Sequence, residues 1–514
     1  METTALSVNT TRHLLEMGHD DDIAIQSPGR PSLNYSAIRA LSKRTLKAFK
    51  QAGIAKTDRV AIVLPNGPEM ATAFVTISGA STTAPLNPAY RQEEFEFYLS
   101  DLKAKALVVE ANSESLSVAA AQKLGIPLII LVTDNSRAAG DFDLIFDSAT
   151  LLMEAKDDEV NEDDIALILH TSGTTSRPKI VPLSHGNVTS SAENIMNTLS
   201  LTPKDRCLNI MPLFHIHGLI AAVLSSLRAG ASIYCTPGFN ALKYFGWMGD
   251  AQPTWYTAVP TMHQAILTRA SRSMDIINAV PLRFIRSSSS SLPSQVMAEL
   301  EKTFNVPVIE AYGMTEAAHQ MACNPLPPAA RKAGTVGIAA GPEVGIMSLG
   351  GEILPNGEVG EIVIRGANIT KGYENNPKAN EDNFTNGWFR TGDQGVLDSE
   401  GYISITGRLK EIINRGGEKI SPREVDEILM DHPAIQQCVT FAMPHPKLGE
   451  EVAAAVVLKE GMTADEKDIR TFTAQYVADF KVPRKILILD EIPKGATGKL
   501  QRIGLAEKLG LVGL

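Results

Sequence analysis

Apolar and polar positions come in alternating blocks along most of the chain. "RVAIVLPNG" (59–67) predicts a buried strand and a turn, and "PEMATAFVTISGAS" (68–81) predicts a helix with Pro68 early in it. "ALVVE" (106–110), "PLIILVT" (127–133) and "ASIYCTP" (231–237) are short apolar runs bounded by loop residues. Strand-like and helix-like segments in this order predict an α/β protein with mostly parallel sheets. From about residue 350 the pattern changes. "GEILPNGEVGEIVIRG" (351–366) has short strands separated by Asn-Gly and Val-Gly turns, which predicts antiparallel β structure. Beyond Gly407, "REVDEILMDHP", "EEVAAAVVLKE" and "DEKDIRTFTAQYV" alternate again and predict a separate small α+β domain.

One stretch breaks the apolar rhythm. "DIALIL" (164–169) leads into "HTSGTTSRPKIVPLSHGN" (170–187), and a predicted helix, "NVTSSAENIMNTL", follows. Between strand and helix lie hydroxyls, Gly173 and Lys179. Backbone N–H groups of such a turn converge on an anion, and a lysine adds a mobile positive charge. It is not the common P-loop, which needs glycine before its lysine and Ser or Thr after it; here Pro178 precedes Lys179 and Ile180 follows. Read from its residues alone, the stretch suits either a polyphosphate cradle or a Ser/Thr-rich surface loop.

Composition narrows the classes. The chain has 514 residues, enough for more than one domain. Its formal net charge of -10 gives nucleic acid or an anionic membrane no support as partner. Cys207, Cys235, Cys323 and Cys438 have neither metal-site nor disulfide-framework spacing, so reduced thiols in the cytoplasm are expected. No secretory signal, membrane-spanning run or Ser-Lys-Leu ending is read.

Five segments, in order, resemble signatures of the adenylate-forming superfamily, which includes acyl-CoA synthetases, nonribosomal-peptide adenylation domains and firefly luciferase. They are the loop at 170–187, "AYGMTEAAH" (311–319), "GWFRTGDQG" (387–395), "GRLKEIINRGGEKISPREVD" (407–426) and "PKGATGKLQR" (493–502). The resemblance covers nearly the whole chain. It is nearest to the oxalate–CoA ligases and their relatives, through runs such as "MPLFHIHGL", "WYTAVPT", "RFIRSSSSSL" and "AHQMACNPLP". Ser176 follows this group. Ile180 stands where the superfamily commonly has glycine, and Ser288 stands where close relatives often have cysteine.

The resemblance implies a large N-terminal adenylate-forming domain (1–406) of α/β layers plus a small β-barrel-like subdomain. A hinge (407–410) and a small mobile C-terminal α+β domain (411–514) follow. It implies ATP, CoA and Mg²⁺ as co-substrates, a small carboxylic acid as partner, and a monomer or small homo-oligomer. Thr171, Ser172, Gly173, Thr174, Thr175 and Lys179 would hold phosphates. Tyr312 would face adenine, with Glu310, Ala311, Gly313 and Met314 around it. Thr315 would contact the α-phosphate and Glu316 would ligate Mg²⁺. Asp393 would accept both ribose hydroxyls, and Arg408 would hold ribose or phosphate. Lys499 would bridge the acid's carboxylate and ATP. His215 would gate that carboxylate, while His217 is read as structural. Lys410 would be the pivot, and Gly416, Gly417 and Glu418 would line the CoA tunnel.

Ser288, Ser289 and His319 would form a polar acyl wall suited to a second carboxylate, which favours oxalate. Other acids remain open: short- or medium-chain or aryl carboxylates. So do other classes: a luciferase-like oxygenase, a carrier-protein adenylation domain, or a nucleotide-binding protein without catalysis.

Overall fold

The apolar runs become strands where the pattern places them, in a computed structural model that describes residues 9–146, 159–171, 178–494 and 499–511. "RVAIV" is the strand Arg59–Val63, and parallel strands Thr82–Pro85 and Ala106–Glu110 flank it. The sheet runs in the order Asp143–Phe146, Leu128–Val132, Ala106–Glu110, Arg59–Val63, Thr82–Pro85, Ile165–Thr171, Lys179–Ser184. Helix Pro68–Ser78 starts with Pro68 at its first position and is buried on nearly every side. That all-round burial is what a helix between two sheets requires.

The second large sheet has nine strands among the described residues. Its centre is parallel: Ser232–Cys235, Arg206–Asn209, Trp255–Ala258, Phe284–Ser288 and Val308–Met314. Strand His319–Cys323 then folds back antiparallel on Val308–Met314. One apolar cluster, from Leu14 to Ile403, spans both large sheets and the helices between them.

Around the loop at 170–187 the structure differs from the sequence reading. "KIVPLS" is not loop but the strand Lys179–Ser184, paired antiparallel with Ile165–Thr171. Its apolar members explain this: Ile180 is buried in the cluster with Ile168 and Leu86, and Val181 and Leu183 face the larger core. The departure at Ile180 is therefore a strand residue filling the interior. The helix starts at His185, capped by the Ser184 hydroxyl.

From 343 to 408, a five-stranded antiparallel sheet occupies the place of the expected barrel-like subdomain. The last of its strands, Ile403–Arg408, passes through an exposed turn containing Lys410 into Ile413–Arg415, the first strand of the C-terminal sheet. That sheet pairs Ile435–His445 with Gly449–Leu458, and helices Pro422–Met430 and Glu466–Thr473 pack on it. Contacts tie the two parts together: Arg423 donates to the Ile405 carbonyl at 2.7 Å, and the Gln264 amide donates to the Gln436 carbonyl at 3.1 Å.

The turn back from Val308–Met314 to His319–Cys323 sets the site. The register shifts between Tyr312 and Gly313. A Cβ on Gly313 would lie 1.8 Å from the His319 carbonyl oxygen, so only glycine fits there. Gly313→Ala is expected to destabilise the N-terminal part by about 3 kcal/mol or more, since backbone must move to admit the methyl. Thermal unfolding followed by circular dichroism measures this. A transition at the wild-type temperature would show that the approach is not tight.

Candidate active site

Four elements bring chemistry to one place. Tyr312 ends up beneath the ribose-motif strand Trp388–Leu397, and its hydroxyl donates to Asp393 Oδ2 at 2.5 Å. Arg408, on the paired strand Ile403–Arg408, donates from Nε to Asp393 Oδ1 at 3.0 Å. The Asp393 charge holds the Arg408 guanidinium firmly protonated, and burial pushes the Tyr312 phenol up. Each carboxylate oxygen keeps a second lone pair for a further donor.

Glu316 follows in a short turn, Thr315–Ala317, and is buried. Its Oε1 accepts the Tyr373 hydroxyl at 2.7 Å. Burial raises its pKa, and Tyr373 and Lys179 oppose that rise. Lys179 Nζ stands 4.2 Å from the centre of the Tyr373 ring, a cation–π contact. Thr171 and Lys179 are direct cross-strand partners at the mouth of the loop. Ser172, Gly173, Thr174 and Thr175 lie outside the described residues. Tyr373 was not foreseen; "KGYENN" carries no signal beyond a turn.

Glu310 and Ala311 have buried side chains in Val308–Met314. Glu310 accepts the Leu292 amide at 3.0 Å, and burial pushes its carboxyl up to about 7. The carbonyl of Ala311 accepts the Ser288 hydroxyl at 2.9 Å. Ser288 is fully buried, so what it does here is tie two strands together. Met314 and Thr315 are partly exposed beside Glu316.

Ser289, in contrast, turns outward with φ of 74°, and its hydroxyl meets His217 Nδ1 at 3.0 Å. His319 has φ of 99° and packs edge-on against His217 with ring centres 5.0 Å apart. Non-glycine residues hold such backbone angles only where the surroundings force them. His319 Nδ1 is buried without a hydrogen-bond partner among the described residues. His217, read as structural from the sequence, is fully buried and joins Ser289 to Thr257.

Lys499 arrives from the C-terminal part. It is half-buried, and its charge is felt at His215, His217 and His319 while it feels Arg408 and Asp393. Burial, then the Arg408 charge, lowers its pKa to about 8. Burial and Lys499 depress the His215 imidazole to about 3, so it is neutral at ordinary pH. Arg502, three residues on, anchors this segment: it pairs with Asp426 at 2.6 Å and with Glu411 at 3.3 Å.

Gly416 (φ 60°) and Gly417 (φ 104°) form the tip of an exposed hairpin with Glu418, away from the buried cluster. A Cβ on Gly417 would meet nothing within 4 Å, so the tip has room for an approaching chain.

Comparison with known proteins agrees with this arrangement. An oxalate–CoA ligase of Arabidopsis thaliana is 45% identical over 94% of both chains. An oxalate–CoA ligase of Saccharomyces cerevisiae is 44% identical over 88% of this chain and 87% of its own. Among solved structures, ATP-bound MatB from Rhodopseudomonas palustris superposes with a TM-score of 0.85 at 29% identity, covering 98% of this chain and 99% of its own. The apo form of the same protein, at the same coverage, superposes at 0.76. Residues 16–374 match the AMP-binding enzyme family, and residues 424–499 match the AMP-binding enzyme C-terminal domain. The chain belongs to the AMP-binding enzyme family.

Proposed function

We propose that the protein is an ATP-dependent acid–CoA ligase that adenylates oxalate and passes the oxalyl group to CoA. The observation that carries this reading is the meeting of Lys499 with the Asp393, Arg408 and histidine groups of the N-terminal part. The choice of oxalate draws on the relatives' named acid and on the polar pair Ser289 and His319.

A carboxylate is a poor acyl donor because its leaving group would be an oxide. Its oxygen attacks the α-phosphorus of ATP, pyrophosphate leaves, and the mixed anhydride now has AMP as leaving group. That first step crowds two anions together, so fixed cations lower its barrier. The charge of Lys499 is felt at His215 and His319 and itself feels Asp393, so its ammonium would face both reactants. Lys179 and the loop before it take the outer phosphates. Asp393 takes the ribose hydroxyls, and Thr315 borders the α-phosphate. His215 is neutral and so can adjoin the acid without fixing it as an ion pair.

Among the described residues no group of three or more His, Cys, Asp or Glu side chains could cage a metal. A single buried carboxylate, Glu316, beside Lys179 fits Mg²⁺, which keeps phosphate and water oxygens as most of its ligands. Mg²⁺ would arrive with ATP and offset the charge of its phosphates. The thiol of CoA must then reach the adenylate from the side that Lys499 covers. Rotation about Lys410 exchanges Lys499 for the Gly416–Gly417 hairpin and solves this problem. The better superposition on the ATP-bound relative supports reading the present arrangement as the adenylating one.

Lys499→Ala is expected to lower pyrophosphate release by about a hundredfold or more, while CoA attack on supplied acyl-adenylate keeps most of its rate. Equal loss in both half-reactions would argue against rotation. The free enzyme's Lys499 loses its proton near pH 8. The adenylation kcat/KM should therefore fall as pH rises through about 8, and Lys499→Arg should lack that limb. A wild-type profile flat from pH 7 to about 9 would remove Lys499 from that role. His319→Ala should cost oxalate roughly ten- to a hundredfold in kcat/KM relative to acetate, the worth of one hydrogen bond to a charged group. Equal loss for both acids would make His319 a residue of the nucleotide side.

A further inference from the structure

Behind the pocket lies a charge with no partner. Arg286, on strand Phe284–Ser288, is fully buried. No ion pair reaches it among the described residues, and the only titratable groups near enough to favour its charge are the thiols of Cys323 and Cys207. Its guanidinium lies 3.4 Å from Thr257 Oγ1 and 3.3 Å from Gln320 Oε1. Thr257 Oγ1 is in turn 2.6 Å from His217 Nε2, and His217 Nδ1 is 3.0 Å from Ser289 Oγ.

The fixed donor of this chain is Arg286. A guanidinium only donates. Thr257 Oγ1 accepts from Arg286, and in this arrangement its own proton goes to His217 Nε2 rather than the oxygen accepting a second time. With Nε2 accepting, a neutral His217 carries its proton on Nδ1 and donates to Ser289 Oγ. Burial and the nearby positive charges keep His217 neutral. In that tautomer the Ser289 oxygen is satisfied as acceptor, and its hydroxyl proton is left to donate onward.

The surroundings are cationic. With the three imidazoles neutral, the charges that reach His217 and His319 are those of Arg286 and Lys499; among the described residues no carboxylate is one of them. A buried cation without a counter-ion is costly. An acid with a second anionic group would place that missing charge beside His319 and Ser289.

We propose that Arg286, Thr257 and His217 are positioning residues that orient the Ser289 hydroxyl as a donor and make the acyl pocket select acids carrying a second anionic group. This rests on the reading of that pocket as the acid site. The three need not touch the substrate; they fix which atom of Ser289 it meets.

Thr257→Val removes the link while nearly keeping its shape, and Thr257→Ser restores the hydroxyl. Steady-state kinetics with oxalate and acetate should show Thr257→Val losing about ten- to a hundredfold in kcat/KM for oxalate, mainly through KM, and no more than about threefold for acetate. Thr257→Ser should return oxalate to within about threefold of wild type. Nitrogen NMR of histidine-labelled wild type, with His217 assigned by the loss of its signal in His217→Gln, should show the Nδ1–H tautomer. That measurement needs no folded Thr257 variant. Equal losses for the two acids, no loss at all, or an Nε2–H tautomer in wild type would overturn the proposal. If wild type prefers oxalate but these outcomes occur, only the chain of donors fails. If wild type prefers acetate, the acid reading fails with it.

Discussion

Negative charge has to be gathered before a carboxylate can be made reactive, and the whole molecule is arranged around doing so in two halves. The N-terminal part presents Asp393, held by Tyr312 and Arg408, and the buried cation Arg286. The C-terminal part brings the charge of Lys499 near His215, His217 and His319 on a segment anchored through Arg502 to Asp426 and Glu411. Glu411 adjoins the turn at Lys410. The anchor therefore connects the position of Lys499 to the one exposed strip of chain through which the two parts are continuous.

The nine-stranded sheet converts this requirement into geometry. Its parallel strands Trp255–Ala258, Phe284–Ser288 and Val308–Met314 end side by side, so Thr257, Arg286 and Ile309 stand on neighbouring strands in register, with Glu310 one residue on. The fold-back at Gly313 then lays His319 against the same end. Strain at Ser289 and His319 falls just after one strand ends and where the next begins. That is where a fold stores conformational cost for binding.

Much of this was legible in the sequence, for reasons that differ by segment. The apolar runs are short, β-branched and bounded by turn residues, so Arg59–Val63, Ala106–Glu110 and Gly449–Leu458 could be placed closely. Asp393, Glu316 and Lys499 sit in linear motifs, and it is the resemblance of those motifs to the superfamily's signatures that implied phosphate and ribose chemistry. The strand Lys179–Ser184 was missed because its polar neighbours hid three buried apolar residues, Ile180, Val181 and Leu183. Tyr373, Thr257 and Arg286 were missed because their partners come from other strands; in "WYTAVPT" and "RFIRSSSSSL" nothing marks which side chains meet. Ser288 and Ser289 are indistinguishable in a run of serines. Only the end of the strand separates the one bound to Ala311 from the one that turns toward His217.

The central claim is that the pocket beneath Lys499 is built for a small acid with two negative groups. It is tested most directly by the wild-type enzyme with ATP, Mg²⁺ and oxalate, malonate, acetate or hexanoate, with CoA present and absent. Pyrophosphate release and thioester formation are followed together. The expected result is the highest kcat/KM for oxalate, with thioester formed only when CoA is present and in equal amount to AMP. A preference for hexanoate, or pyrophosphate release indifferent to the acid, would contradict it.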